Sequence, residues 1–433
     1  MPTLKLNPTK ALQLFQLIRY GSLLLIGVLF AQLGLSTYHI GVYESLVFVA
    51  SFLSFFWLSG ITQGLLASYS EGENDRDLIG TTFFILLAVS ALMATVFLLV
   101  LSPYSIMANN PDVLYFGGPF FLFILLSGPA FLAEYVLLLK ERTKLLAIYA
   151  CLSYPAQVAL VIAPIAMGKG LEEAIYGLVY AAAFRFSVSL VLVLIYGSFK
   201  LNLDAVSTLL RVSWPLILAS LLSGSAEYID GLIVSRFFNE ESFAVYRYGA
   251  KEFPLFILMA AAFSNARINK VANSKDIDAT VHELKEGAIG MIKWFFPIAI
   301  VLTLISPLAF KHIFNEEFAL SAYVFNAYLL TLTGRMMFPQ TMLIGKGHTR
   351  IVMNIALMEI AVNVILSLIL LHYFGLVGIA YATVVAYAFE KTVLCSFLKR
   401  RMDISPHRLI PFTELVGWSA VLLVVHVGVW WFM

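Results

Sequence analysis

Two carboxylates and an arginine stand in the stretch SAEYIDGLIVSR, Ser225 to Arg236, inside a run from Trp214 to Phe238 that is otherwise apolar and long enough to cross a bilayer. A lone charge in a low-dielectric bundle is heavily penalised. Groups kept there serve pairing, proton uptake or contact with a charged ligand. If the run leads outward and the next returns from about Phe243, Asp230 and Lys251 both lie about 12 Å below the outer ends of their helices and can meet. Glu227 is one turn deeper on the same face as Asp230. Glu227 and Asp230 are therefore candidates for gating or proton-linked coupling, with an Asp230–Lys251 clamp as the structural alternative. Arg19, Arg185, Lys251 and Arg335 also fall at depth in apolar runs. Such cations can line a wet cavity, arginine gripping a phosphate through two bonds and lysine adding a compact charge. Glu134, Glu359 and Glu390 lie toward helix ends, where local pairing is expected, Glu390 with its neighbour Lys391. Pro254 and Pro339 follow charged residues closely and are candidate hinges.

The elements that must hold these groups are helices. Of 433 residues 61% are hydrophobic and only 12% charged, with mean hydropathy +0.89, whereas a soluble chain carries about 25% charged residues. This is the composition of a polytopic membrane protein. Runs of about 20 apolar residues recur along the whole chain, giving about thirteen spans. They lie near 14–35, 43–67, 79–101, 116–139, 145–167, 175–199, 214–238, 243–272, 288–310, 319–344, 351–373, 378–398 and 413–433. With the amino terminus in the cytoplasm, Lys140, Arg142, Lys144, Lys346, Arg350, Lys399, Arg400 and Arg401 fall inside, as the positive-inside rule requires. Cys151 and Cys395 sit in apolar runs, which suggests neither a disulfide framework nor a zinc site. No Walker motif or cofactor fingerprint is present, and a net charge of +2 gives no reason to expect a nucleic-acid partner.

Four short stretches recur in order at an offset near 203 to 206: IGVYES at Ile40 with FAVYRY at Phe243, Ser102-Pro103 with Ser306-Pro307, KERTK at Lys140 with KGHTR at Lys346, and YGLVYAAAF at Tyr176 with YATVVAYAF at Tyr381. A duplicated unit of six helices is expected, and an even number makes the halves parallel. The expected organisation is a six-helix lobe over 1–200, an interfacial connector over 201–213, a second lobe over 214–401, and a basic connector with a terminal helix over 402–433.

The first hairpin, with GLSTYHIGVYES and GLLASYSEG, and the later YIDGLIVSRFFNEESFAVYRYGAKEF, LIGKGHTR and FGLVGIAYATVVAY together resemble the polysaccharide or lipid-linked oligosaccharide flippases of the multidrug/oligosaccharidyl-lipid/polysaccharide exporter superfamily. The similarity spans about residues 12 to 400. It implies an all-α polytopic membrane protein with two parallel six-helix lobes in a V-shaped arrangement like that of the multidrug exporters, plus an extra carboxyl-terminal helix. It implies a transporter in the inner membrane, not an enzyme, that flips a lipid-linked glycan, its carrier a polyprenyl pyrophosphate, by alternating access. Membrane lipids surround it, and proton or sodium coupling is open. The alternatives are a cation-coupled multidrug exporter of the same superfamily and a membrane polysaccharide polymerase or ligase. The exporter class often carries an acidic residue in its first helix, where this chain has Arg19. An enzyme would need catalytic groups at an aqueous face, and the best acidic pair, Asp276 and Asp278, lies in a solvated connector.

Overall fold

The computed structural model describes residues 8–69, 75–100, 115–199, 202–251, 254–274 and 276–432, and in these the chain is helical throughout, without strands. Ser102-Pro103 lies outside the described residues. In the first part the helices are α1 (Pro8–Gln32), α2 (Thr37–Ser68), α3 (Asp75–Val100), α4 (Gly117–Ala130), α5 (Leu132–Leu139), α6 (Thr143–Ala166), α7 (Leu171–Tyr196) and α8 (Leu203–Phe237). There follow α9 (Glu240–Gly249), α10 (Pro254–Asn273), α11 (Ile277–Ile313), α12 (Ala319–Leu329), α13 (Leu332–Arg335), α14 (Pro339–Gly345), α15 (Thr349–Met402), α16 (Pro406–Leu409) and α17 (Phe412–Phe432).

Ten helices among the described residues are long and apolar enough to cross a membrane, against thirteen expected spans. The difference has three physical sources. The expected span 243–272 is divided between α9 and α10, and 319–344 among α12, α13 and α14, so neither forms one long helix. Spans 351–373 and 378–398 are both present: they are two helices that meet at Gly375, whose non-helical φ of 57° and ψ of −135° are open to a residue without a Cβ, and α15 covers the pair. Pro254 and Pro339 were expected to kink helix interiors; Pro339 instead opens a helix, where the missing N–H removes no intrahelical bond, and Pro254 is the first described residue of α10. The expected connector over 201–213 is likewise not separate: from Leu203 it forms the first turns of α8, with Leu209 fully buried.

The chain divides into two compact units, Met1–Tyr228 with Phe238–Ala244, and Ile229–Phe237 with Val245–Met433. These bounds differ from the expected lobes by assigning most of α8 to the first unit. In the first unit α1 packs on α6, α3 on α4, and α7 against both α4 and α6. Its core joins Phe15, Trp57, Ile61, Phe83, Leu132, Val136, Leu146 and Val193. In the second unit α11 packs on α12 and α17, while α14 lies against α10 and α15. One cluster there is built on Phe256, Phe295, Phe296 and Met336, another on Val271, Leu284, Met342, Leu343, Leu394 and Leu398. The terminal helix α17 adds Leu415 and Leu422 to the former cluster and is an integral part of its unit. Large apolar side chains left exposed, such as Leu152, Leu194, Leu304, Leu308 and Val424, are what a lipid-facing surface requires.

Candidate functional site

The two repeated turns, KERTK and KGHTR, follow one backbone path. Lys140 and Lys346 each cap a helix with φ near −90°, the next residue is left-handed (Glu141 at 52°, Gly347 at 81°), and a threonine opens the following helix. Arg142 N donates to Leu137 O and Glu141 N to Leu138 O at 2.8 and 3.0 Å. His348 N donates to Leu343 O and Gly347 N to Ile344 O at the same two distances. This is the paired bonding of a Schellman cap. Each lysine then reaches the preceding inter-helix turn: Lys140 to Asp75 and to the Tyr69 hydroxyl at 2.9 Å, Lys346 to the Ser274 carbonyl at 3.0 Å. Partial burial pulls the Lys140 ammonium down, but its bonds to Asp75 and Tyr69 more than offset this and leave its pKa above the ordinary lysine value.

In the first unit, Arg19 of α1 and Arg185 of α7 belong to one polar cluster inside apolar helices. Arg19 lies 3.8 Å from Glu134 of α5, with side-chain exposures of 25% and 7%. Its guanidinium stands 4.8 Å from the centre of the Phe131 ring. Arg185 is buried, donates to Gln157 of α6 and stands 5.3 Å over the Tyr154 ring. Glu134 interacts electrostatically with both arginines. Two guanidinium groups are thus gathered around Glu134, and Arg185 also acts on Tyr43, beside the buried Glu44 of α2. The expected local pairing of Glu134 is present, and its partner comes from another helix. Gln157 was not anticipated; its only signal was an amide within an apolar run.

The second unit holds a different cluster. Asp230 of α8, 3% exposed, accepts from the Tyr328 hydroxyl at 2.7 Å and from Thr383 Oγ1 at 2.6 Å. Tyr246 and Tyr328 share a 2.6 Å bond between hydroxyls. Asn363 donates to Thr383 at 3.0 Å, and Ser367 to Asn363 at 3.2 Å. Because Tyr328, Thr383, Asn363 and Ser367 donate in sequence, the bonds converge on a single carboxylate oxygen. Glu359, Asn363 and Ser367 are buried at four-residue spacing on one face of α15, the signal from which this stripe could have been read. Lys391 pairs with Glu390 at 2.7 Å, as adjacency suggested, and also donates to Gln340. Glu359 interacts with Glu390, Asp230 and Lys391.

The remaining expected site residues are not all gathered here. Lys251 lies two residues beyond the end of α9 and stands 4.2 Å over the Tyr248 ring. Arg335 ends α13, 5.1 Å over the Tyr387 ring, beside a small pocket lined by Phe256, Phe325, Tyr328 and Thr331. Glu227 is in α8, but its side chain lies outside the described residues, as does that of Pro254.

Residues 29–322 match the family model described as polysaccharide biosynthesis protein. A comparison with curated proteins finds no match. Among solved structures, a lipid II flippase, MurJ, in an inward closed conformation is similar with TM-score 0.68 at 16% identity, covering 96% of this chain and 92% of that one. An inward-facing multidrug resistance transporter of the MATE family gives 0.61 at 16% identity, over 92% and 98% of the two chains. A transporter from Pyrococcus furiosus, described as having a binding pocket of reverse polarity, gives 0.53 at 16% identity, over 92% and 97%. The fold is thus that of the exporter superfamily to which these structures belong.

Proposed function

We propose, from the premise that the chain belongs to the polysaccharide biosynthesis protein family, that it flips a lipid-linked oligosaccharide, carried on a polyprenyl pyrophosphate, across the inner membrane by alternating access. The amino terminus is cytoplasmic in this reading, because the basic turns then fall inside. The observation that carries it is the pair of guanidinium groups inside the first unit, where Arg19 and Arg185 gather around Glu134. A pyrophosphate head group is the anion such a pair would hold, with charge-assisted bonds from the guanidinium groups. Lys251 and Arg335, each near a helix break, are the candidate contacts from the second unit.

Coupling belongs to Asp230. Its carboxylate, with Thr383, Asn363 and Ser367 close by, offers oxygen ligands to a sodium ion or a proton acceptor, and Glu227 is a further candidate. Pro254 and Pro339 mark the breaks at which helices would swing. Export of a cationic drug is the rival, and α1 speaks against it, having Arg19 and no carboxylate.

The test is reconstitution of the whole chain in vesicles with a fluorescent lipid-linked oligosaccharide on one leaflet. Wild-type protein is expected to move it across. Absence of movement with a range of glycans, together with uptake of a cationic dye, would overturn the reading in favour of the exporter.

A further inference from the structure

The fourth span of the first unit is broken where Arg19 touches it. Pro129 has no N–H to give to the Leu125 carbonyl four residues earlier, and Phe131 N keeps its helical bond to Ser127 O but shares it with Gly128 O, both at 3.2 Å, a tightened turn between α4 and α5. Ser189 Oγ anchors this turn by donating to Pro129 O at 2.7 Å. A single side chain then contacts the turn and the helix beyond it: the Arg19 guanidinium lies against the Phe131 ring and 3.8 Å from the Glu134 carboxylate in the first turn of α5. At 3.8 Å this is a contact between charges, longer than a bidentate arginine–carboxylate bond. Arg185, by contrast, is tied to Gln157 and more deeply buried. The two arginines are therefore unequal. Arg185 is a fixed positive charge, and Arg19 is a partly exposed one whose counter-ion can be exchanged.

We infer that Glu134 is an internal counter-ion which a pyrophosphate group displaces from Arg19, and that the displacement lets α5 swing relative to α4 at Pro129–Phe131. This rests on the reading of Arg19 as a head-group ligand. Pyrophosphate outcompetes the carboxylate because it brings more charge and more acceptor oxygens to the same guanidinium. Once Arg19 turns to it, the ion pair that holds the first turn of α5 to α1 is released. Binding energy at the head group thereby becomes a change in helix direction, through a two-state element that the ligand biases.

The experiment uses the full chain in nanodiscs, with farnesyl pyrophosphate and inorganic pyrophosphate as separate probes, and Cys151→Ser as background. Glu134→Gln is expected to bind farnesyl pyrophosphate at least about fivefold tighter than wild type, the low end of ordinary coupling between sites, while Arg19→Ala loses binding. Glu134→Asp, which keeps the charge and shortens its reach, is expected between wild type and Gln and serves if the Gln variant folds poorly. Spin labels at Leu122→Cys and Leu138→Cys, on either side of the break, should change their separation when probe is added, and Glu134→Gln should show the changed separation without probe. If inorganic pyrophosphate gives the same shifts, a free anion suffices; if only the prenylated probe does, the lipid is required. Loss of binding in Arg19→Ala with no tightening in Glu134→Gln or Glu134→Asp would overturn the counter-ion while leaving the head-group reading standing. Undiminished binding in Arg19→Ala would overturn both. Tightening without any change of separation would overturn the hinge.

Discussion

The two units bury ionisable groups in similar places with opposite balance. The described cluster of the first unit gathers Arg19 and Arg185 with Glu134 and, through Tyr43, Glu44, whereas that of the second brings Glu359 together with Asp230, Glu390 and Lys391. The first is built around two guanidinium groups and the second around carboxylates, although both hold a broken helix followed by the same lysine-capped turn. Similar scaffolds thus hold different electrostatics because a few polar side chains on the inner faces differ: Glu134 and Gln340 each stand six residues before the capping lysine, one charged and one neutral.

The contrast can be broken first at the lysine of the second unit. Lys391→Met leaves Glu390 and Glu359 without the ammonium they share, so the stability loss should be the largest, about 3 to 5 kcal/mol, the usual cost of breaking a buried ion pair from one side. Thermal unfolding in detergent measures it, and adding Glu390→Gln should return part of the loss. Arg185→Met removes one of two cations near Glu134 and leaves Arg19 in place, so a smaller loss is expected, about 2 to 3 kcal/mol, from the bond to Gln157 and the lost charge. If Arg185→Met costs more than Lys391→Met, the charge balance attributed to the two clusters is wrong. Asp230→Asn keeps the shape and weakens two charge-assisted bonds from Tyr328 and Thr383, for about 1 to 3 kcal/mol. Smallest is the difference between the turns. Glu141 occupies a left-handed position that Gly347 fills without strain, so Glu141→Gly should stabilise by about 0.5 to 1 kcal/mol and Gly347→Ala should destabilise by about 1 kcal/mol.

The helical content and the repeated turns were legible because apolar runs of span length and the KERTK and KGHTR matches are local signals. The breaks were less so. Nothing in the apolar pattern tells that the span 319–344 is divided among three helices, or that Pro339 begins a helix instead of kinking one. The charged members of the clusters stood out from their apolar surroundings, but their partners did not. Gln157, Thr383, Asn363 and Tyr328 are ordinary residues for a helix, and only three-dimensional packing brings them to Arg185 and Asp230. The depth count for Lys251 runs from Phe243, and α9 carries it as far as Gly249.

The division of labour between an anion-holding first unit and a coupling second unit is tested most directly by flipping rates in vesicles, measured with and without an imposed cation gradient. Arg19→Ala should lose movement of the lipid-linked oligosaccharide under both conditions, and Asp230→Asn should lose only the increment that the gradient adds. The reverse pattern, gradient dependence surviving in Asp230→Asn while Arg19→Ala still flips at the wild-type rate, would contradict the account.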